Sequence, residues 1–348
     1  MLPPVLVRRL VLGPAMLVLT AVVVTGLPVL LIVAVALATI LPGRWRALRL
    51  LWMVLLYLLL ESVALVALFG LWVASGFGWR IRSPRFQRAH YVLVEWFLQI
   101  LFWECQRVLH VRVAVEGPPP TSYDGKPLLI LSRHAGPGDS FLVVHALLNW
   151  YAREPRIVLK DTLQWDPAID VVLNRLPNRF IRPDPGKDGA RVVAQIGELS
   201  HNLDANDAFV IFPEGGNVTE HRRKRAIERL RRNGHIDEAQ KAERLKHVMA
   251  PKPGGVLAAL SEARDADVVF VAHTGLEHLS TVSDIWRGLP MDKTLRLRWW
   301  FVPAAEVPRD DAELTDWLYR WWETIDGWIG TTQQEQPTTA RRRFRRQS

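Results

Sequence analysis

The stretch LLILSRHAGPGDS, residues 128–140, contains the pattern that decides the fold of this chain. Its first five residues, Leu128–Ser132, form an apolar run suited to a buried β-strand, and a short loop rich in glycine and proline follows. Ser140 then opens a helical stretch that extends to Tyr151. A strand, a tight loop and a helix in this order are typical of a parallel sheet covered by helices.

Strand-like and helical stretches keep alternating after this point. Short apolar runs predict further strands at Arg156–Lys160, Arg179–Arg182, Ala208–Phe212, Asp267–Ala272 and Leu295–Val302. Helical stretches separate several of them, at Ser140–Tyr151, Thr162–Leu176 and Asp188–Leu203. Because this alternation is typical of strand–helix–strand units, we predict an α/β domain with a mostly parallel central sheet and flanking helices over residues 111–308.

Two long apolar stretches precede this domain. Residues 10–43 carry no charge, and residues 50–79 carry one, at Glu61. As a single helix the first stretch would be about 50 Å long, whereas the hydrocarbon core of a bilayer is about 30 Å thick. The sequence Gly26-Leu27-Pro28 interrupts it, so it either crosses as a kinked, tilted helix or enters the bilayer and returns. We therefore predict N-terminal transmembrane helices within a membrane-anchoring region, residues 1–89.

A cleavable signal peptide is the alternative interpretation of the first stretch, because Ala36-Leu37-Ala38 resembles a cleavage site. The length of the apolar run and the second span behind it favour a retained membrane protein. With two crossings, the arginines before the first stretch and after the second share one side of the membrane and outnumber those between. This distribution favours an integral membrane protein whose folded domain faces the cytoplasm; the membrane is the cell inner membrane if the protein is bacterial.

The net charge of +9 is concentrated at the ends of the chain. Residues 1–90 contain nine arginines and one acid, residues 331–348 contain five arginines and one acid, and the body between them is slightly negative. A nucleic-acid-binding protein would concentrate positive charge on its folded body, so the pattern instead suits an anionic membrane surface. The single cysteine, Cys105, excludes a disulfide scaffold and cysteine-rich zinc sites.

Two further segments have amphipathic sequences. Residues 90–110 alternate aromatic and polar side chains, which predicts a helix lying in the membrane interface or a helix packed on the domain. Residues 309–330 place leucine, isoleucine and tryptophan at helical spacing, which favours a packing or membrane-contact face. Residues 331–348 lack apolar content and are predicted to form a disordered basic tail.

The loop after the first predicted strand contains a histidine and an aspartate, His134 and Asp139. A tight turn between them can bring the carboxylate to the imidazole, fixing its tautomer so that it acts as a general base. A purely structural hydrogen bond is the alternative for a pair at this spacing.

Two other segments end strands at the same predicted edge of the sheet. Phe212-Pro213-Glu214-Gly215 follows one strand, and its glycine allows a substrate to approach the backbone, although an ordinary turn has the same composition. Arg182 ends the strand before it, where a guanidinium suits a phosphate or a surface ion pair.

Together these segments resemble the glycerolipid acyltransferase superfamily, of the lysophosphatidic acid (1-acyl-sn-glycerol-3-phosphate) acyltransferase type. His134 and Asp139 match its His-x4-Asp block, Phe212–Gly215 its Phe-Pro-Glu-Gly block, and Phe180–Arg182 its phosphate-contacting block. Val268–Thr274 loosely match its fourth, apolar block. The resemblance implies His134 as general base, Asp139 as its orienting partner, and Arg182, Phe212, Pro213, Glu214 and Gly215 as substrate-binding residues.

The implied reaction moves a fatty acyl group from acyl-CoA or acyl carrier protein to a lysophospholipid hydroxyl. The first choice of acceptor is 1-acylglycerol-3-phosphate, which the reaction would convert to phosphatidic acid. No metal ion or bound cofactor is implied, and membrane lipids are the implied partners. Gly216 and Asn217 depart from the family's usual Thr-Arg, and Arg133 stands where asparagine is common. The alternative acceptors are therefore lysophosphatidylglycerol, lysocardiolipin, a glycolipid or an amino-acid lipid. A non-catalytic membrane scaffold that binds anionic lipid is the alternative function. The oligomeric state stays open.

Overall fold

The computed structural model describes residues 2–40, 45–117, 125–134, 136, 138–181, 189–216, 218–275, 286 and 288–335. Its centre is a seven-stranded sheet. The strands are β1 Val111–Glu116, β2 Leu128–Ser132, β3 Glu154–Lys160, β4 Arg179–Ile181, β5 Asp207–Ile211, β6 Asp267–Thr274 and β7 Lys293–Val302. They lie in the order β1-β7-β6-β2-β5-β3-β4, and every neighbouring pair is parallel except β6 and β7. The predicted α/β fold with a mostly parallel sheet is confirmed.

Helices precede the sheet and cover both of its faces. Those before the sheet are α1 Val5–Thr25, α2 Leu27–Ile40, α3 Arg46–Ala74 and α4 Pro84–Leu109. Those between and after the strands are α5 Asp139–His145, α6 Pro167–Arg175, α7 Gly189–Ser200, α8 Glu220–Arg232, α9 Ile236–Arg244, α10 Pro253–Glu262 and α11 Asp311–Glu335. A π-helical turn, Ala146–Trp150, continues α5.

The three central strands, β6, β2 and β5, are buried along their whole length. Parallel strands covered on both faces read as continuous apolar runs, which is why the sequence identifies these strands most clearly. On one face they pack against α7, α10 and α11, and on the other against α4 and α5. The tryptophans of α11 belong to the first of these layers: Trp317 and Trp322 are buried there, and Trp321 stacks on Phe270 with ring centroids 4.5 Å apart. The apolar and aromatic face of α11 is therefore a packing face.

Several boundaries differ from the sequence-based expectation. The predicted 90–110 helix begins earlier, at Pro84, because Ser83 and the proline form a favourable helix start. The C-terminal helix continues past residue 330 to Glu335, where Thr332 is buried and Glu335 lies 2.7 Å from Arg296. Residues 331–335 are therefore helical rather than part of a disordered tail, and residues 336–348 lie outside the described residues. Strand β1 was not predicted, because it is an edge strand with alternating burial.

Helices α1 and α3 are long and apolar enough to cross a membrane, whereas α2 has 14 residues. Both α1 and α2 pack against α3 and turn many apolar side chains outward, among them Leu6, Val18, Ile32 and Ile40. These helices therefore form an apolar layer whose outer surface no other described segment of the chain covers.

Helix α3 contacts the α/β domain near its start, at its middle and towards its end. Near its start, Arg46 Nε donates to the Leu289 carbonyl at 2.6 Å. In its middle, Glu61 Oε1 accepts the Ala168 backbone N–H at 2.8 Å, so the lone acid of the apolar stretch stabilises the positive N-terminus of α6. Further along, Arg175 Nη1 donates to the Leu68 carbonyl at 2.8 Å. The charged and polar groups of this segment are thus used to fasten α3 to the domain.

Arg8 is also a docking residue. The sequence suggests that Arg8 and Arg9 together mark a membrane surface, but Arg8 is only 6% exposed. Its Nη2 atom lies 2.8 Å from Asp170 Oδ1 and 2.9 Å from Gln164 Oε1, whereas Arg9 is largely exposed and lies 3.8 Å from Asp170. A buried pair of this kind costs much more to break than an exposed one, because one charge is left unpaired without water.

We predict that Arg8→Ala destabilises the protein by about 3 kcal/mol, because it leaves the carboxylate of Asp170 buried without its main partner. Arg9→Ala removes the same charge from the same helix and is the matched control, with an expected loss below about 1 kcal/mol. Thermal unfolding of both variants in the same detergent measures the difference. Equal unfolding temperatures for the two variants would contradict the docking role of Arg8.

Candidate active site

The loop after β2 brings together the two residues that the sequence singles out. Asp139 begins α5, and its Oδ2 atom lies 3.2 Å from Nδ1 of His134. The Gly136 backbone N–H donates to the same oxygen at 2.6 Å. Asp139 is fully buried. The carboxylate therefore fixes the orientation of the imidazole, and Nε2 is the ring nitrogen left for a substrate.

A second histidine reaches the same carboxylate oxygen. His273 lies near the end of β6, is fully buried, and places its Nε2 atom 3.5 Å from Asp139 Oδ2. Burial alone would raise the pKa of Asp139, but His273, the bond to His134 and the Gly136 N–H together hold it below its usual value. Asp139 is thus anionic. We assigned no role to His273 from the sequence, although a histidine inside an apolar predicted strand was the available signal.

Two residues that follow β5 also contact His134, one at its backbone and one at its ring. Its backbone N–H donates to Glu214 Oε1 at 3.0 Å, and its ring lies 5.0 Å from the Phe212 ring between centroids. Phe212 and Glu214 both follow β5, the other neighbour of β2. The ends of three adjacent strands therefore determine where the imidazole lies.

Glu214 acts on the backbone rather than in the pocket. Its two carboxylate oxygens accept the N–H groups of His134 and Met249, at 3.0 and 3.1 Å. Burial raises its pKa to about 7, although Arg133 and these two N–H donors act in the opposite direction. The predicted residues Phe212, Pro213 and Gly215 line the cavity described below, whereas Glu214 holds the loop behind it.

A further set of contacts ties this loop to the C-terminal helix. Arg133, also fully buried, donates from its guanidinium to the carbonyls of His273 and, at 3.2 Å, His247. Oδ1 of Asp326, on α11, accepts three consecutive backbone N–H groups, those of Lys246, His247 and Val248, at 2.9, 2.5 and 3.1 Å. The arginine that departs from the usual asparagine therefore links β2, β6 and the 246–249 segment.

A cavity of about 700 Å³ opens beside His134. One part of its wall is apolar and comes from α3, α4 and α6, including Ala64, Leu68 and Val172. Another part is cationic and comes from the end of β3, from α8 and from the start of α10, with Lys160, Arg229 and Lys252. Ile181, the last residue of β4, also lines it, and the predicted site residue Arg182 follows outside the described residues.

The cationic end surrounds two glycines in left-handed or extended positive-φ conformations, Gly215 at φ 67° and Gly216 at φ 154°. A Cβ atom at Gly215 would lie 2.6 Å from Nζ of Lys252, and one at Gly216 would overlap the guanidinium of Arg222. Burial and the nearby Arg222 lower the pKa of Lys160. The guanidinium of Arg222 thus lies beside Gly216, one of the two positions at which the resembled family usually has Thr-Arg.

No group of three or more His, Cys, Asp or Glu side chains in the described ranges could hold a metal ion. The expectation that neither a metal nor a bound cofactor is needed stays a prediction.

Comparisons with known proteins agree with this architecture. A family model described as Acyltransferase matches residues 112–282. An uncharacterized acyltransferase of Schizosaccharomyces pombe is 24% identical over 186 residues, which cover 50% of this chain and 51% of that protein. The chain therefore spans about half the length of this curated relative. The crystal structure of the 1-acyl-sn-glycerophosphate (LPA) acyltransferase PlsC from Thermotoga maritima is similar with a TM-score of 0.50 at 16% identity, covering 82% of this chain and 98% of that one. This likeness shows a shared fold.

We predict that Glu214 makes stability depend on pH. Its pKa is raised from 4.5 to about 7 in the folded protein, so its stabilising contribution is complete below pH 4.5 and is lost as the pH rises to 7. Relative to Glu214→Gln, which cannot titrate, the wild type should lose up to about 3 kcal/mol across this window. Thermal unfolding of both proteins at several pH values measures the difference, and a difference that does not change with pH would contradict the prediction.

Proposed function

Because residues 112–282 match a family model described as Acyltransferase, we propose that this protein moves a fatty acyl group from a thioester donor to the hydroxyl of a lysophospholipid. The most fitting acceptor is 1-acylglycerol-3-phosphate, which would give phosphatidic acid. The observation that carries the proposal is the buried His134–Asp139 pair at the wall of a cavity large enough for an acyl chain. A non-catalytic scaffold would need neither the pair nor the cavity.

In the proposed reaction, Nε2 of His134 accepts the proton of the acceptor hydroxyl as its oxygen attacks the thioester carbonyl. Asp139 holds the opposite ring nitrogen and stabilises the imidazolium that forms. When the tetrahedral intermediate collapses, the C–S bond breaks, the ester remains on the acceptor, and the thiolate takes up the proton from His134. The acyl group passes directly to the acceptor, so no covalent enzyme intermediate is required.

The cationic part of the cavity favours an acceptor with a phosphate. Lys160 and Lys252 line the cavity beside the Gly215–Gly216 turn, where an anionic head group would be stabilised. Arg182 directly follows Ile181, which lines the cavity, and is the proposed partner of the acceptor phosphate. A glycolipid without phosphate is therefore a less fitting acceptor than a lysophospholipid.

The N-terminal helices support a membrane location for this reaction. Both substrate and product of the proposed reaction are lipids, and α1 and α3 are candidate membrane spans. We place the catalytic domain on the cytoplasmic side, where acyl thioesters are made.

We predict that His134→Ala lowers acyl transfer by at least about 10²–10⁴-fold, the usual cost of losing a general base. Asp139→Asn should be similarly damaging, because a neutral amide stabilises the imidazolium poorly and favours the wrong tautomer. The matched control is His201→Ala, an exposed histidine paired with Glu262 on the domain surface. Transfer of labelled acyl groups to lysophosphatidic acid is the measurement, and near-normal turnover by the His134 variant would refute the mechanism.

We predict that Arg182→Ala raises the KM for the acceptor about ten- to a hundredfold and leaves the donor KM nearly unchanged, because one charge-assisted bond to phosphate is lost. Arg179→Ala is the control, since Arg179 begins the same strand and forms an exposed ion pair with Glu198. Steady-state kinetics with each substrate varied in turn measure both constants. A change confined to the donor KM would assign Arg182 to the other substrate.

A further inference from the structure

Helix α8 carries an unusual amount of positive charge for its length. Its 13 residues include seven arginines or lysines and two acids. The helix begins at the cationic end of the cavity, where Arg222 lies against Gly216 and Arg229 contributes to the lining. Positive charge of this density beside the cavity favours the binding of an anionic ligand.

The charges divide between two faces of the helix. On one face, Arg223 donates to the Glu243 carbonyl at 2.8 Å, Arg231 pairs with the Glu243 carboxylate, and Lys224 lies 3.3 Å from Glu220. These residues hold α8 to α9 or to itself. They are structural, and their charges are already matched by neighbouring groups.

The opposite face carries four exposed arginines at helical spacing. We refer to this set as the arginine stripe: Arg222, Arg225, Arg229 and Arg232. It extends about 15 Å along the helix, at 1.5 Å per residue. Within the described part of the chain, no carboxylate forms an ion pair with Arg225, Arg229 or Arg232. Arg222 and Arg229 therefore lie at the cavity, and Arg225 and Arg232 add exposed positive charge beside it.

The position of the stripe favours a water-soluble ligand over the bilayer. The cavity wall next to the candidate membrane helices is the apolar one built by α3, α4 and α6, whereas α8 belongs to the cationic end. A protein partner is also disfavoured, since none of the exposed large apolar side chains among the described residues lies on α8. Stable protein interfaces usually bury an apolar or aromatic centre, and this face offers only guanidinium groups.

We propose that the arginine stripe binds the phosphate groups of coenzyme A, so that the acyl donor is acyl-CoA rather than acyl carrier protein. The inference rests on the proposed acyl transfer. In acyl-CoA an uncharged pantetheine arm joins the thioester to a diphosphate and, beyond it, a ribose 3′-phosphate. With the thioester beside His134, the arm leaves through the cationic end and its phosphates meet guanidinium groups, which bind phosphate in a bidentate manner. The arm of a carrier protein has a single phosphate and would leave most of the stripe unmatched.

The test uses the full-length protein in detergent, with saturating lysophosphatidic acid and donors of decreasing phosphate content. These are palmitoyl-CoA, palmitoyl-3′-dephospho-CoA and palmitoyl-4′-phosphopantetheine, of which the last also lacks the adenosine. Palmitoyl-carrier protein is assayed beside them. For the wild type, KM should rise at each removal of phosphate. For Arg225→Gln/Arg232→Gln, KM for palmitoyl-CoA should rise about tenfold or more with kcat nearly unchanged, while KM for palmitoyl-4′-phosphopantetheine should change little.

The matched control is Lys224→Gln/Arg231→Gln, which removes two charges from the same helix at neighbouring positions on the other face. Its KM for palmitoyl-CoA should stay within about twofold of the wild type. Equal effects of the two double variants would overturn the proposal in favour of general electrostatic attraction. A rise in KM confined to palmitoyl-carrier protein would overturn it in favour of a protein donor, and weaker binding to anionic vesicles with unchanged donor kinetics would assign the stripe to the bilayer.

Calorimetric titration with coenzyme A itself separates this inference from the proposed function, because it requires no turnover. Binding that weakens with 3′-dephospho-CoA and in the stripe variant supports the inference even if no acyl transfer is found. Absence of binding in a protein that does transfer acyl groups would refute the inference alone.

Discussion

One carboxylate oxygen, Oδ2 of Asp139, is the point on which the geometry of the site depends. It is buried and is approached by the Gly136 N–H at 2.6 Å, His134 at 3.2 Å and His273 at 3.5 Å. Burying a carboxylate costs free energy unless hydrogen-bond donors or cations compensate its charge. Asp139 therefore fixes the positions of these three groups, just as they fix its own. The loop after β2 and the end of β6 therefore cannot shift independently, and the imidazole of His134 keeps its orientation.

The support of this centre extends far along the chain. Glu214 joins the backbone of His134 to that of Met249, and Asp326 on α11 fixes the segment just before Met249. A helix that follows the last strand thus helps to place a loop that follows the second. Because each connection ends on a backbone N–H group, the geometry depends on the positions of main-chain segments and is insensitive to the rotamers of surface residues.

The sequence was most informative where a local pattern determines a local structure. Strands β2, β5 and β6 can be identified because burial on both faces leaves uninterrupted apolar runs, and His134 and Asp139 because a turn of only four intervening residues keeps them close. The roles of His273, Arg133 and Glu214 depend on β6, β2 and β5 being adjacent, which no local pattern encodes. The same holds for Arg8, whose partner Asp170 is distant in sequence and contacts it only after α1 docks on α6.

Helix α3 has a consequence for what surrounds the reaction. Tyr57, Ala64 and Leu68 of this helix form part of the cavity wall, while α1 and α2 also pack against α3 and expose apolar side chains. In the proposed reaction, the wall between the lipid and its surroundings consists of these helices, and the hydrocarbon of a bilayer would complete its outer side. For the proposed lipid substrate, the chain length that the cavity accommodates would therefore depend on the protein and on the thickness and lateral pressure of the bilayer around it. Residues 1–89 cannot be regarded as a detachable anchor, because removing them would open the reaction chamber to water.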